Sequence, residues 1–304
     1  PHRLQAPRPG VPRHGWGVSV GLGGGPPRGR GRRGTPPRAR RRIGRPTCLP
    51  TARAAASAIA SPIPWRRAVP SSGLRTAPAS APRSSGVGAL LSNGLGVAIA
   101  DYDNDGRPDV FVANDSMPNF LFHNNGGLRF TETGLMSGVA VAADGKARAG
   151  MGIDIGDYDG DGRLDLVITN LDFEMHTLDR GLERGLFAYA STESGIGFPT
   201  LPFVGFGVAF LDFDNDGQLD IAIANGHILD NAPQFRTGST YWQRKLLFRN
   251  TTLRRFVEVG RNAGPAFAAE KVGRGLAIGD IDNDGDLDLL VTNNGQDAEL
   301  LRND

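Results

Sequence analysis

Four loops of one pattern, Asp-x-Asp-x-Asp-Gly-x-x-Asp, hold the side chains of this 304-residue chain whose types and spacing best suit chemistry. Their carboxylates, at loop positions 1, 3, 5 and 9, provide 16 of the 32 acidic residues. Carboxylates this close repel one another and raise each other's pKa unless a cation neutralises them. The pattern therefore predicts four cation sites. The carboxylates are Asp101, Asp103, Asp105 and Asp109 in loop 1; Asp157, Asp159, Asp161 and Asp165 in loop 2; Asp212, Asp214, Asp216 and Asp220 in loop 3; and Asp280, Asp282, Asp284 and Asp288 in loop 4.

The donor atoms of each loop predict calcium. The side chains at positions 1, 3 and 5 and the backbone carbonyl at position 7 are expected to turn inward, and the aspartate at position 9 closes the shell. Hard oxygen ligands at this high coordination number suit Ca²⁺ better than Mg²⁺. Full coordination leaves no open position for catalysis, so we expect about four Ca²⁺ ions in a structural role. The position-7 carbonyls belong to Arg107, Arg163, Gln218 and Asp286.

Short apolar runs on both sides of each loop predict the strands that position it. The runs are rich in β-branched residues and bounded by Asn and Gly, which is typical of buried strands. An EF-hand begins with the same pattern but needs Glu at position 12 and flanking helices, whereas position 12 here lies inside an apolar run. Each loop is therefore predicted to be the turn of a β-hairpin. The paired runs cover residues 96–100 and 110–114, 151–155 and 166–170, 207–211 and 221–225, and 275–279 and 289–293.

The spacing of the loops predicts the architecture. Their first aspartates are 56, 55 and 68 residues apart, a period typical of solenoids and propellers. Third strands are predicted at 119–123, 245–249 and 299–302, with a weaker one near 177–178, and fourth strands at 128–132, 185–188 and 255–259. Four antiparallel strands per unit predict an all-β protein, a β-propeller with repeats at about 86–140, 141–195, 196–262 and 263–304. The last repeat lacks a fourth strand and four blades are few for a ring, so we expect the chain to be a fragment.

Charge divides the chain into two segments. The first 100 residues contain 17 Arg and no Lys, Asp or Glu, which leaves 17 basic and 32 acidic residues, a net charge of −15, for the other 204. Residues 1–85, rich in Arg, Pro, Gly and Ala, are predicted to be a disordered tail. Two interpretations stay open: the tail binds nucleic acid through its arginines, or it is not native to the protein. The acidic remainder would repel nucleic acid, and no apolar run is long enough to span a membrane.

Few residues outside the loops suggest catalysis. His123 ends a strand, His227 follows a turn, and His176, near two acids, is interpreted as a solvated loop residue. The longest insertion, residues 227–244, suits either contacts with a sugar or protein or anchoring of the loop on its own blade. A carbohydrate-active propeller enzyme with its catalytic residues in further blades is the alternative to a module that is not an enzyme. The insertion carries Phe235, Arg236, Tyr241, Trp242 and Arg244.

The loops and their flanks resemble FG-GAP/VCBS repeats, which also build the propeller of integrin α-subunits. More narrowly, residues 149–162, 272–285, 112–120 and 241–250 are similar to the cartilage acidic protein (ASPIC/UnbV-type) family. The resemblance runs from about residue 86 to the end of the chain. It implies calcium-dependent folding, an extracellular, periplasmic or cell-surface location, and adhesion or binding of a protein or carbohydrate ligand. It implies no agreed enzymatic activity.

Overall fold

The computed structural model describes residues 85–235, 238–251 and 254–304, and every structural statement below refers to these residues. The disordered tail predicted for residues 1–85 falls outside this part of the chain, except for Ser85. None of the helices described is long and apolar enough to cross a membrane.

Four antiparallel blades follow one another along the chain, which confirms the predicted β-propeller. Blade 1 contains β1 (Gly94–Ala100), β2 (Asp109–Asn114), β3 (Phe120–Asn124) and β4 (Phe130–Glu132). Blade 2 contains β5 (Ile153–Gly156), β6 (Asp165–Ile168), β7 (Thr177–Gly181) and β8 (Phe187–Tyr189). Blade 3 contains β9 (Gly205–Leu211), β10 (Asp220–Asn225), β12 (Leu246–Asn250) and β13 (Phe256–Glu258). Blade 4 contains β15 (Gly273–Gly279), β16 (Asp288–Asn293) and β17 (Gln296–Leu301).

Only short elements lie outside the blades. The strands β11 (Gln243–Arg244) and β14 (Glu270–Lys271) pair with each other. Three one-turn helices are α1 (Gly134–Ser137), α2 (Gly197–Thr200) and α3 (Pro265–Ala268). Turns of 3-10 helix occupy Val87–Ala89, Glu183–Gly185, Ala232–Phe235 and Gly260–Asn262. As predicted, the described part of blade 4 has three strands, and the weak third strand of blade 2 is present as β7.

The apolar core lies between successive blades. All residues of β6 and of β10 are buried, because each of these strands has a neighbouring blade on either side. The inner strand of each blade directs alternate side chains toward the preceding blade. Val208 and Phe210 of β9, for example, pack in one cluster with Val167 and Leu178 of blade 2. This layered packing explains why the strands are apolar on both faces.

A glycine five residues before loops 1, 2 and 3 lets the inner strand approach that of the following blade closely. A Cβ atom built on Gly152 would lie 1.8 Å from the carbonyl oxygen of Phe206 in β9. The obstructing atom belongs to the backbone, so no change of rotamer could relieve the clash. Glycine is required at this position by the contact between blades 2 and 3.

The Gly152→Ala substitution is expected to destabilise the protein by about 3 kcal/mol or to prevent folding, because blades 2 and 3 must separate. Urea unfolding measures the change. The matched control is Gly279→Ala in β15, where an added Cβ meets no atom within 4 Å, and its expected cost is below about 1 kcal/mol. Equal effects of the two substitutions would show that the approach of the inner strands is not a constraint.

Candidate metal centre

The carboxylates at positions 1 and 5 shape the backbone of each loop. In loop 3, Asp212 Oδ1 accepts the N–H of Asp216 at 3.0 Å and Oδ2 accepts the N–H of Gly217 at 2.9 Å. Asp216 Oδ1 accepts the N–H of Gln218 at 3.0 Å. Loops 1 and 2 repeat these bonds. The hydrogen bonds to these carboxylates therefore fix the backbone conformation of the loop.

Two residues of each loop have a left-handed backbone. The position-6 glycines have φ between 84° and 102°, a conformation in which a Cβ would be strained. Position 4 is also left-handed, with φ between 56° and 70°. Its residue types, Asn104, Gly160, Asn215 and Asn283, were the available signal, because Asn and Gly adopt this conformation most readily.

The structure brings the predicted carboxylates together, although not in one identical set. In loops 2, 3 and 4, oxygen atoms from positions 1, 3 and 9 all lie within 4.8 Å of one another. In loop 1, one such group joins positions 1, 3 and 5, and another joins Asp103, Asp109 and His123. The carbonyl oxygens of position 7 stay a prediction. Their own side chains show a different contact, since Arg107 and Arg163 pair with Asp105 and Asp161.

The aspartate at position 9 is buried and holds the loop to the third strand of its blade. Asp220 Oδ2 accepts the N–H of Phe213 at 3.1 Å, and Oδ1 accepts the N–H of Asn250 at 2.7 Å. The same pair of bonds recurs at Asp109, Asp165 and Asp288, with distances of 2.7 to 3.3 Å. The aspartate at position 9 thus connects the loop to the third strand, in addition to being a candidate metal ligand.

Burial dominates the electrostatics of position 9. It raises the pKa of Asp165 and of Asp220 to about 7, against the opposing effect of the two backbone N–H groups. It also raises the pKa of Asp109. A buried carboxylate of this kind becomes favourable when a cation lies beside it. The burial of position 9 and the carboxylate oxygens grouped in loops 2, 3 and 4 therefore fit a hard divalent cation such as Ca²⁺.

A basic residue of the third strand reaches the loop of its own blade, which sequence reasoning missed. His123 Nδ1 lies 3.2 Å from Asp103 Oδ2, and Arg249 Nε lies 2.8 Å from Asp214 Oδ2. In blade 4, an Arg302 guanidinium nitrogen lies 3.4 Å from Asp282 Oδ2. The signal was present, because each basic residue immediately precedes the Asn that bonds to position 9. The two arginines partly balance the carboxylates of loops 3 and 4.

The loops of successive blades are joined side by side. Asn250 Nδ2 of blade 3 donates to the carbonyl oxygen of Tyr158 in loop 2 at 2.8 Å. Asn303 Nδ2 of blade 4 donates to that of Phe213 in loop 3 at 2.7 Å. The guanidinium of Arg254 lies 3.2 Å from Asp159 Oδ2. Loops 2 and 3, the candidate metal centres of blades 2 and 3, are consequently in direct contact with the following blade.

The histidines outside the loops do not form a second site in the described residues. The interpretation of His176 as solvated was wrong, since it is fully buried and its Nδ1 accepts the N–H of Asn170 at 3.1 Å. Burial lowers its pKa to about 3. The neighbouring Glu174 instead accepts the N–H of Ala149 at 2.9 Å. His176 is therefore a neutral core residue.

In the insertion at residues 227–244, one residue anchors the loop on its own blade and two aromatic residues are exposed. Arg244 is buried, pairs with Glu258 at 2.8 Å, and lies 5.3 Å from the ring centroid of Phe203. It is therefore an anchor, as one of the two interpretations expected. Phe235 and Trp242 are exposed and remain available for contacts, whereas Arg236 lies outside the described residues.

Comparison with known proteins supports the resemblance drawn from the loops. Residues 88–168 match the family model described as FG-GAP-like repeat. Cartilage acidic protein 1 of Mus musculus is 28% identical over 211 residues, which cover 64% of this chain and 28% of that protein. The Xenopus tropicalis protein of this name is 27% identical over 223 residues, 67% of this chain and 29% of the relative. This chain thus spans less than a third of the length of these relatives.

A solved structure with a similar arrangement is that of an Agrocybe aegerita lectin that specifically recognises non-reducing terminal N-acetylglucosamine. It is 20% identical in sequence and superposes with a TM-score of 0.38, and the match covers 71% of this chain and 54% of the lectin.

Proposed function

We propose that this chain, a β-propeller that is similar to cartilage acidic protein 1 and whose residues 88–168 match an FG-GAP-like repeat, is a calcium-binding module for adhesion or ligand binding, without catalytic activity. The observation that carries the proposal is the recurrence of one carboxylate cluster in loops 2, 3 and 4, with a related cluster in loop 1. Residues at loop positions 1, 3 and 9 would hold the ion. Bound Ca²⁺ would supply positive charge to a turn that otherwise concentrates negative charge.

The chain's own residues favour a structural role for the cation. Position 9 connects each loop to the third strand, and the loop also contacts the neighbouring blade. A cation held by positions 1 and 3 and by position 9 would therefore stabilise the hairpin and the packing of two blades together. Among the described residues, no histidine lies beside both a nucleophile and an orienting acid in the manner of a catalytic triad.

Titration of the full chain with Ca²⁺ tests the proposal, and about four ions per chain are expected. Calcium is expected to raise the midpoint temperature of thermal unfolding relative to EGTA, because at a free concentration of 100 Kd it adds about 2.7 kcal/mol per site to the free energy of unfolding. An unchanged midpoint would contradict the structural role. A dissociation constant between about 10⁻⁴ and 10⁻³ M would lie in the range of extracellular calcium modules.

Two variants locate the ions. Asp157→Ala, at position 1 of loop 2, is expected to lower the calcium stoichiometry by one. Asp144→Ala removes an acid outside the loops that pairs with Arg148, and it is expected to leave the stoichiometry unchanged. Retention of every ion in Asp157→Ala would refute loop 2 as a metal centre.

The exposed rings of Phe235 and Trp242 support the ligand-binding part of the proposal, because aromatic side chains suit contacts with sugars and proteins. Probing a glycan array and a protein array in calcium should give ligands whose signal falls at least about tenfold in Trp242→Ala. The control is Met136→Ala, another exposed apolar residue. Equal binding by both variants and the unchanged chain would exclude this surface.

A further inference from the structure

Blade 1 differs from the other three blades in the third-strand residue that precedes the contact with position 9. His123 of β3 comes directly before the residue whose N–H bonds to Asp109. A guanidinium has N–H donors and no lone pair for a metal, whereas a neutral imidazole is a common metal ligand. Among the four described loops, loop 1 alone therefore has a nitrogen donor from this position. The residues at the same position in blades 2, 3 and 4 are Arg180, Arg249 and Arg302.

The imidazole of His123 faces two carboxylates from different parts of loop 1. Its Nδ1 lies 3.2 Å from Asp103 Oδ2 and 3.5 Å from Asp109 Oδ1. Nδ1 is buried and has no hydrogen-bond partner among the described residues, so neither contact is a hydrogen bond. Two ligands placed tetrahedrally around one Zn²⁺ ion, each about 2.0 to 2.2 Å from the metal, lie about 3.3 to 3.6 Å apart. The separations around Nδ1 are therefore close to those between ligands of one ion.

Backbone hydrogen bonds orient both carboxylates toward the imidazole. Asp103 Oδ1 accepts the N–H of Asp105 at 3.3 Å, which leaves Oδ2 as the oxygen beside His123. Asp109 Oδ1 accepts the N–H of Asn124 at 2.7 Å and retains a second lone pair for a metal. Outer contacts of this kind fix metal ligands in place and strengthen binding.

The ring of Tyr102 holds the imidazole from the side of blade 2. Its centroid lies 6.2 Å from that of His123 in an edge-on arrangement and 6.0 Å from that of Phe187 in β8. The His123 ring is thus positioned by the packing of two consecutive blades.

We propose that loop 1 is a Zn²⁺ site, with Nδ1 of His123 and one oxygen each of Asp103 and Asp109 as ligands. Imidazole is a good ligand for Zn²⁺, whereas Ca²⁺ takes oxygen ligands. Asp101, Asp103 and Asp105 form a second group of oxygens within 4.8 Å of one another. Because Asp103 belongs to both groups, Zn²⁺ and Ca²⁺ would compete for loop 1. The zinc site goes beyond the proposed function and does not require calcium binding at loops 2, 3 and 4.

Titration of the full chain with Zn²⁺, without an affinity tag, tests the proposal. His123→Arg is the decisive variant, because it gives loop 1 the residue found in the other three blades and keeps a basic side chain. The unchanged chain is expected to bind one Zn²⁺ more than this variant. Loss of an outer contact alone weakens metal binding by about 10- to 100-fold, so loss of the ligand should weaken it at least about a hundredfold.

A calcium titration shows whether the effect is specific to zinc. His123→Arg is expected to bind as many Ca²⁺ ions as the unchanged chain, because it retains every carboxylate. Zn²⁺ is expected to displace one Ca²⁺ from the unchanged chain and none from the variant. Circular dichroism establishes folding, and His123→Gln is expected to show the same loss of Zn²⁺ if His123→Arg does not fold.

The matched control is Asp157→Ala in loop 2, which is expected to lose one Ca²⁺ and to keep the Zn²⁺ site. Equal Zn²⁺ binding by His123→Arg and the unchanged chain overturns the proposal, and so does an unchanged chain that binds no Zn²⁺. Calcium binding without a zinc ion that depends on His123 refutes the zinc site alone. Loss of one Zn²⁺ in His123→Arg, in a chain that binds no Ca²⁺, refutes the proposed calcium function and supports the zinc site.

Discussion

Replacing Asp220 with alanine is expected to destabilise the calcium-free protein by about 3 kcal/mol, because two buried N–H groups would lose their acceptor. These belong to Phe213 in the loop and Asn250 at the end of the third strand. At about pH 6, the pKa of about 7 leaves the carboxyl mostly protonated, so the substitution relieves little buried charge. Urea unfolding in EGTA at this pH measures the loss.

Asp216→Ala is the matched control for Asp220→Ala. Asp216 belongs to the same loop, but its side chain is more exposed and accepts one backbone N–H. Its removal is expected to cost about 1 kcal/mol or less without calcium. Equal losses of stability in the two variants would mean that the aspartate at position 9 is only a candidate metal ligand. Its hydrogen bonds to the loop and to the third strand would then not stabilise the calcium-free protein.

The loops and their hairpins could be predicted from the sequence because one local pattern fixes both. Asp at position 1 and Gly at position 6 specify the turn, and the apolar runs beside it specify two strands. The third strand of a blade was harder to predict from the sequence where a polar residue interrupts the apolar pattern. In blade 2, Asp179 stands in the middle of β7, where the other third strands carry a large apolar residue. That residue made the strand look weak from the sequence.

Contacts between blades could not be predicted in the same way. His176 is buried because Gly205 of the next blade leaves room beside it; a Cβ there would lie 2.4 Å from His176 Nε2. The acids near His176 in the sequence gave the opposite impression. The basic residues of the third strands were also missed, since their approach to the loops depends on strand register. Local patterns therefore specified the blades, while packing specified the surroundings of the loops.

The same contacts would make the proposed calcium binding a property of the array rather than of isolated turns. Asn250 bonds both to Asp220 of loop 3 and to the backbone of loop 2, so a change at one loop would act on its neighbour. Asp154 adds a second connection between blades 2 and 3, because it accepts the N–H of Phe210 at 2.7 Å. A cation bound at the loops would consequently stabilise the packing of the blades.

Asp179 provides a separate and opposite effect on stability. Its counterparts in the other third strands, Phe122, Phe248 and Leu301, are buried apolar residues. Asp179 is 3% exposed, and burial raises its pKa from 3.8 to about 7. The folded protein therefore binds this proton more tightly than the unfolded chain does. Its stabilising effect is fully present below the unfolded pKa of 3.8 and is lost as the pH rises through about 7.

Asp179→Asn is expected to be more stable than the unchanged protein by on the order of 3 kcal/mol at about pH 8, and by little at about pH 4, because it removes a buried charge that forms only at the higher pH. Urea unfolding at both values, at one calcium concentration, measures the difference. The control Glu183→Gln removes an exposed acid of the same blade and is expected to show no such dependence. A constant difference between Asp179→Asn and the unchanged protein at both pH values would mean that the folded and unfolded chains bind this proton equally tightly, so that burial in β7 does not raise the pKa of the Asp179 carboxyl.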